Sequence, residues 1–470
     1  MSMKHHLRKR PVDRSARKRI VILGGGFAGV YAALHLEKLL GTDPEVEICL
    51  VSRDNFFLFT PMLHEIAASD LEITNIVNPL RKLLRHTKVL VGEIERIDLP
   101  NKQVMVSHGR HHYLNHSQIL EYDQLILALG SITNFFNLPG VADLALGMKS
   151  LPDAIHLRAR IIRCLEEANS GCSLGDAQTL LTFVVAGGGF AGVETVAALN
   201  DFVREALQFY PNLAERMLRI VLVHPGAVIL PELCGSLGRY AQQKLAQRGI
   251  EIRLNARVTC MTENEVCLGG CFRIPSSTLV WTAGTLPNPL LSSLPCQKKC
   301  GRVLVNESLQ IPDRSNVWAV GDCAFVPDVN QSGKSHPPTA QHAIREGRVV
   351  AQNIALALAG RPPKPFSFKT IGLLASIGRR TGVARILGFN FSGFIAWWLW
   401  RTIYLSKLPG LDKKVRVAFD WTLDLLFRKD VCAIHDLPLR ANSMTYELKP
   451  SWNGSRSSSS MVISSPAIPT

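Results

Sequence analysis

Short apolar runs, each ending at or just before a glycine, recur along the chain and alternate with longer stretches of helical period. Ile20-Val21-Ile22-Leu23 runs into Gly24, and Leu181 to Ala186 runs into Gly187. Leu125 to Leu129 ends at Gly130, Val280 to Ala283 at Gly284, and Asn316 to Val320 at Gly321-Asp322. Val46 to Val51 and Arg219 to Val223 are further runs of the same kind. Runs apolar on both faces predict parallel strands covered by helices on either side. The stretches after the first two glycines, Tyr31-Ala32-Ala33-Leu34 and Val196-Ala197-Ala198-Leu199, predict helices, as does Ala340 to Leu356. The alternation predicts an α/β protein with two Rossmann-like units.

Two of the junctions are identical. Gly24-Gly25-Gly26-Phe27-Ala28-Gly29-Val30 reappears letter for letter as Gly187 to Val193. Strand, G-x-G-x-x-G, helix is a dinucleotide-binding pattern. Gly24 and Gly187 permit the tight turn, Gly26 and Gly189 let backbone approach a pyrophosphate, and Gly29 and Gly192 let helix and strand pack closely. Phe27, Ala28 and Phe190 open the helices, whose N-termini face the phosphates. Two such sites in one chain imply electron transfer between two cofactors, most simply NAD(P)H and FAD. If the runs ending at Gly130 and Gly321 belong to the first sheet, the second unit is inserted between them. The expected layout is an FAD-binding domain at 20–150 and 285–360, and an NAD(P)H-binding domain at 151–284.

Candidate chemistry sits at strand ends and helix starts. Asp322 can accept hydrogen bonds from a ribityl or ribose hydroxyl, or can simply cap a helix. The strand end that commonly carries a ribose-binding acid reads Val51-Ser52-Arg53-Asp54 in the first unit, so Ser52 fills the slot. The matching position of the second unit is His224, neither an acid for NADH nor an arginine for NADPH; protonated, it would favour the 2′-phosphate. Nicotinamide choice stays open. Glu194 is expected in the first turn of its helix, either as a dipole-stabilised cap or beside the nicotinamide–flavin junction. Pro337 to Ala343 opens a helix whose free amides can face the flavin pyrimidine, with Gln341 beside it and His342 read equally as a surface residue or a proton donor.

Composition narrows the partners. The chain has 470 residues and a formal net charge of +15. The arm at 1–19 is basic and read as disordered, and the tail at 436–470 as partly disordered. Positive charge suits an anionic partner. At 361–435 it accompanies the charge-free run Ile386 to Trp400, which holds three tryptophans, and the amphipathic segment Val415 to Phe427. The run is shorter than the roughly 18–20 apolar residues that span a bilayer. These features predict an interfacial helix pair over 386–427 on an anionic membrane surface, rather than a nucleic-acid site. The eleven cysteines form no C-x-x-C and have no histidine at zinc-site spacing, so free thiols and no metal are expected. A disulfide reductase needs a close cysteine pair after the first loop, where Cys49 stands alone. A sulfide:quinone oxidoreductase would use two cysteines near the flavin, with Cys164 and Cys323 the candidates. A flavin-bound redox sensor is a further alternative.

The chain resembles the type II NADH:quinone oxidoreductases over roughly residues 18–435. The resemblance rests on Ile22 to Gly29, Asn55 to Pro61, Tyr122-Asp123 with Leu127 to Gly130, Gly187 to Glu194, Thr282-Ala283-Gly284, Ala319 to Asp322, Pro338 to Gln341 and Ala396 to Arg401. It implies non-covalent FAD on the first unit and NADH, or NADPH, on the second. It implies Glu194 and Gln341 as the catalytic pair, with Arg53, Thr60, Pro61, Gly130, Gly284 and Ala340 among the cofactor contacts. Electrons would pass to a membrane quinone without proton pumping, in a homodimer peripheral to the cytoplasmic face of the cell membrane. Three positions depart from the family pattern: Ser52, His224, and Arg345 where a second glutamine is common.

Overall fold

The computed structural model describes residues 17–108, 116–329, 333–427 and 429–432. Most of the basic arm and the whole of the tail read as disordered lie outside the described residues.

The chain opens with strand β1 (Lys18–Leu23), helix α1 (Phe27–Leu40), strand β2 (Val46–Ser52), the short helix α2 (Leu63–Ala67), and strands β3 (Thr87–Val91) and β4 (Gln124–Leu127). It then builds β5 (Leu146–Gly147), β6 (Thr182–Ala186), α3 (Phe190–Ala206), β7 (Arg219–Val223), β8 (Ile250–Arg253) and β9 (Thr278–Trp281). Strand β10 (Val317–Ala319) and helix α4 (Ala340–Leu358) follow. An antiparallel sheet of β11 (Gly372–Ser376), β12 (Gly382–Ile386) and β13 (Phe389–Ser392) leads into α5 (Gly393–Lys407) and α6 (Leu411–Leu426).

Two five-stranded parallel sheets form the frame. The first runs β10-β4-β1-β2-β3 and the second β5-β9-β6-β7-β8. Strand β10 pairs with β4, so the chain returns to the first sheet after making the second, as the apolar runs predict. Residues Ile20 to Leu23 are fully buried, because helices cover both faces of a parallel sheet. Strand order reverses at β1 in one sheet and at β6 in the other. The crevice at such a point, beyond the carboxyl ends of the strands, is where doubly wound folds bind nucleotides.

Helix α4 lies on α1 at a glycine. A Cβ on Gly347 would stand 2.5 Å from the Ala28 carbonyl oxygen, so the two backbones touch just behind the first glycine loop. Among the described residues no helix is long and apolar enough to cross a membrane. The run Ile386 to Trp400 is not one helix: its first residues complete the β12–β13 hairpin and only the remainder enters α5. The expectation of free thiols needs correction. Cys260 and Cys267 are joined by a disulfide across neighbouring antiparallel strands, where direct cross-strand pairing brings their β-carbons together.

The α1–α4 contact makes a testable point. Gly347→Val overpacks that crossing, at a cost of about 1–3 kcal/mol. A thermal unfolding midpoint several degrees lower, with weakened flavin retention, is the expected outcome; an unchanged midpoint would show that the helices separate freely.

Candidate functional site

The two glycine loops are built alike. Gly24 and Gly187 both have φ near +115°, a region that favours glycine. A Cβ on Gly29 would meet the Gly24 oxygen at 1.9 Å, and one on Gly192 the Gly187 oxygen at 1.7 Å. Above Gly26 nothing lies within 4 Å, which leaves the open approach that a pyrophosphate requires.

A cavity of about 440 Å³ joins the loops. Gly26, Phe27 and Ala28 line it from the first unit, and Ala191 and Gly284 from the second. Thr60, Gly130, Asp322 and Ala340 complete the predicted wall. The residues fit a dinucleotide: an open glycine loop, a helix N-terminus and a carboxylate face one space. Asp322 is not simply a cap. Its Oδ2 accepts from Ser131 Oγ at 2.7 Å, and Ser131 Oγ in turn accepts from Lys149 Nζ at 2.6 Å. Burial holds the Lys149 ammonium below its usual pKa, with Asp322 opposing that shift. Ser131 and Lys149 carry no motif by which sequence could have marked them.

A second cavity of about 730 Å³ adjoins the first and shares Phe27, Thr60, Ala191, Pro338 and Ala340 with it. Pro61, Phe190, Glu194 and Gln341 line this second space. Of the two readings of Glu194, the capping one does not fit. It is the fifth residue of α3, past the first turn, and it is buried. Its Oε1 accepts from Trp400 Nε1 at 2.8 Å and from the Ser376 amide at 3.1 Å. Burial outweighs those donors and pushes its carboxyl up to about 8. A dipole-stabilised cap would be shifted the other way. His64 Nδ1 stands 3.9 Å from Glu194 Oε2, but burial lowers that imidazole to about 3, so the contact joins two neutral groups.

Glu65 is a second buried acid, raised to about 8 by burial and accepting from Trp421 Nε1 at 3.0 Å. Arg401 lies between the Trp397 and Trp421 rings, at 4.3 and 4.6 Å, and its charge partly offsets the rise at Glu65. Of the three clustered tryptophans, therefore, Trp397 and Trp400 turn inward and only Trp398 is exposed. His64, Glu65 and the inward direction of two tryptophans carry no signal in the sequence, because direction along α5 is set by the packing. His342 is buried, not superficial, with Nδ1 2.7 Å from Thr339 Oγ1.

The strand-end residues sit beneath the loops. A Cβ on Gly25 would be 2.3 Å from Ser52 Oγ, and one on Gly188 2.7 Å from His224 Cγ. The Gly188 amide donates to His224 Nδ1 at 3.1 Å, and burial lowers the histidine pKa. His224 is thus neutral at pH 7 with its proton on Nε2, so the protonated form that would favour a 2′-phosphate is not the one held here. Arg53 is not drawn into either cavity; it lies exposed, 3.9 Å from Asp54. Cys164 and Cys323 are buried apart, one against Thr278 Oγ1 and the other against the Leu127 and Val320 carbonyls, and line neither cavity.

Two facing glycine loops with a shared cavity define a flavoprotein oxidoreductase, and the pattern of the pyridine nucleotide-disulphide oxidoreductases matches residues 18–347. The NDH2 C-terminal domain pattern matches residues 371–430. The chain is 34% identical to the type II NADH:quinone oxidoreductase Ndh of Mycobacterium tuberculosis, covering 87% of this chain and 88% of that protein. It is 32% identical to a probable NADH dehydrogenase of Dictyostelium discoideum, covering 88% and 91%. The structure of NDH2 from Plasmodium falciparum in complex with NADH superposes with a TM-score of 0.82, at 20% identity, over 88% of this chain and all of that one. The chain belongs to the type II NADH:quinone oxidoreductases, FAD-dependent enzymes that carry electrons from NADH to a quinone without pumping protons.

The buried acids carry a pH signature. Raised folded pKa values mean that the folded state holds protons the unfolded chain would release. That stability is complete below about pH 4.5 and is lost as pH rises through about 8. Glu65→Gln removes one such group. Its unfolding midpoint should gain on the parent protein between pH 5 and 8.5; parallel curves across that range would contradict the burial account.

Proposed function

We propose that FAD lies in the 440 Å³ cavity over the first loop, that NADH binds at the second loop with its nicotinamide toward Ala191 and Gly284, and that the quinone enters the 730 Å³ cavity. The observation that carries this reading is the shared wall: both cavities meet at Phe27, Thr60, Ala191 and Ala340. Bound there, the flavin supplies the hydride and electron chemistry. The protein's residues position the partners. The α4 N-terminus at Ala340 offers free amides to an electron-rich ring, and Asp322 orients a sugar hydroxyl. Glu194, protonated at neutral pH, can give a proton to a quinone oxygen in the second cavity. Gln341, at the same wall, supplies an amide to orient the ring.

The same reading places α5 and α6 on the anionic cytoplasmic face of a membrane. The polar side of α6 is tied to the body: Asp412 to Lys82 at 2.7 Å, Asp420 to Asn75 at 2.5 Å and Asp424 to Arg379 at 3.2 Å. Leu411, Val415, Phe419 and Leu426 are left exposed, with Phe394, Ile395 and Trp398 of α5. Apolar ridges of this extent rarely face water unless something covers them. Leu387 and Phe389 are exposed on the β12–β13 hairpin, which supports a contact with a second copy of the chain in a homodimer.

Two experiments test this. In anaerobic stopped flow, NADH should bleach the flavin band and a short-chain quinone should restore it; bleaching without recovery would argue for a sensor. Deleting the tail would strip Glu194 of Trp400, so membrane docking is better tested by Trp398→Glu with Phe419→Glu. This variant should lose most of its cosedimentation with anionic liposomes while keeping NADH-driven ferricyanide reduction. Sedimentation like the parent's would remove α5 and α6 from the membrane.

A further inference from the structure

The second cavity is more positive than a neutral quinone requires. Arg345, Arg348 and Lys407 all line it. Arg345 lies one turn past Gln341 on α4 and Arg348 about one turn further, so both share the face that meets the ligand space. Arg345 is held in place: Nη1 donates to the Gln341 carbonyl at 2.8 Å, and the guanidinium lies 3.9 Å over the Phe368 ring. Among the described residues the remaining donors of its fork have no protein partner. Burial draws Arg345 and Lys407 below their usual pKa values, repulsion from Arg345 adds to the effect at Lys407, and no carboxylate opposes either shift. The other titratable groups on this wall do not supply the missing charge. Glu194 is protonated at neutral pH, while burial keeps His35 and His64 neutral. Three cations therefore face one largely apolar cavity without a counter-ion among the described residues. A charge cluster that forgoes protein partners is suited to an anionic ligand, and arginine is the side chain best shaped for a planar oxyanion.

We propose that this cavity admits an acceptor carrying a negative charge at neutral pH, a quinone with an ionised ring hydroxyl or a carboxylate, gripped by Arg345 with Arg348 and Lys407 behind it. The proposal rests on reading the cavity as the quinone site. The charged oxygen is a spectator in the reaction. NADH gives up a hydride and becomes NAD⁺; the acceptor's two carbonyl oxygens take two electrons and two protons, one proton deriving from that hydride transfer and one from solvent. The ionised oxygen stays ionised and bound to the guanidinium.

The test uses the full-length, flavin-loaded enzyme in neutral detergent. KM is measured for 2-hydroxy-1,4-naphthoquinone, ionised at pH 7, and for 2-methyl-1,4-naphthoquinone, which is neutral. In Arg345→Gln the ratio of the first KM to the second should rise about tenfold, as loss of one charge-assisted contact implies. Arg345→Lys should bring the ratio back toward the parent value. An unchanged ratio in Arg345→Gln, with the neutral quinone still reduced, would overturn this proposal alone. Reduction of neither quinone would overturn it together with the quinone-site reading. Repeating the series with phosphatidylglycerol vesicles separates the acceptor from a lipid headgroup. If the Arg345→Gln effect appears only when that lipid is present, the cations serve the headgroup and the acceptor assignment fails.

Discussion

The hydrogen bond from Trp400 Nε1 to Glu194 Oε1 ties together parts of the chain that sequence order keeps far apart. A carboxyl group buried beside a largely apolar cavity is costly unless something satisfies it. Here the satisfying groups come from β11, through the Ser376 amide, and from α5, through the indole. The C-terminal segment is therefore part of the site as well as a surface-facing appendage. Its outward face carries the exposed apolar residues; its inward face supplies the indole donor that satisfies the Glu194 carboxyl, while burial, which outweighs that donor, keeps the group protonated. A second pair, Glu65 with Trp421, repeats the device one layer away and fastens α6 in the same manner. The two C-terminal helices and the two buried acids are thus coupled through two tryptophans, because moving either helix would leave a buried acid without its donor.

The rest of the frame serves to bring two nucleotide crevices face to face. Each glycine loop presses on the residue at the neighbouring strand end, Ser52 under Gly25 and His224 under Gly188. Small or flat side chains fit under such close backbone. The Gly188 amide also sets the tautomer of His224 and leaves its proton on Nε2. The position gives a neutral donor where relatives of this fold commonly place an acid.

Much of this was legible in the residues. The repeated heptapeptide located both loops, and the glycine-ended apolar runs located β1, β4, β6, β9 and β10. The inserted order of the two units followed from β10 pairing with β4. What was hidden was side-chain direction. Trp397, Trp398 and Trp400 read alike in sequence, yet only Trp398 faces outward, because helical rotation separates neighbours by about 100°. Glu194 read either as a helix cap or as a residue at the cofactor junction, because its distance from the loop is short, and only the tertiary packing of α5 shows it buried. The Cys260–Cys267 disulfide was missed because spacing alone does not reveal that two cysteines face each other across antiparallel strands. Arg345 stood out as a departure from the family pattern, but the company it keeps with Arg348 and Lys407 is a property of the folded cavity.

The claim that the C-terminal helix completes the site can be tested with Trp400→Phe, which keeps the ring and removes the indole N–H. The two half-reactions are followed separately in anaerobic stopped flow. NADH should reduce the flavin at the parent rate. Reoxidation by quinone should slow about tenfold, with the apparent pKa of that step moving up because the ionised carboxylate has lost a donor. Equal rates and an unmoved pH profile in both half-reactions would contradict the claim.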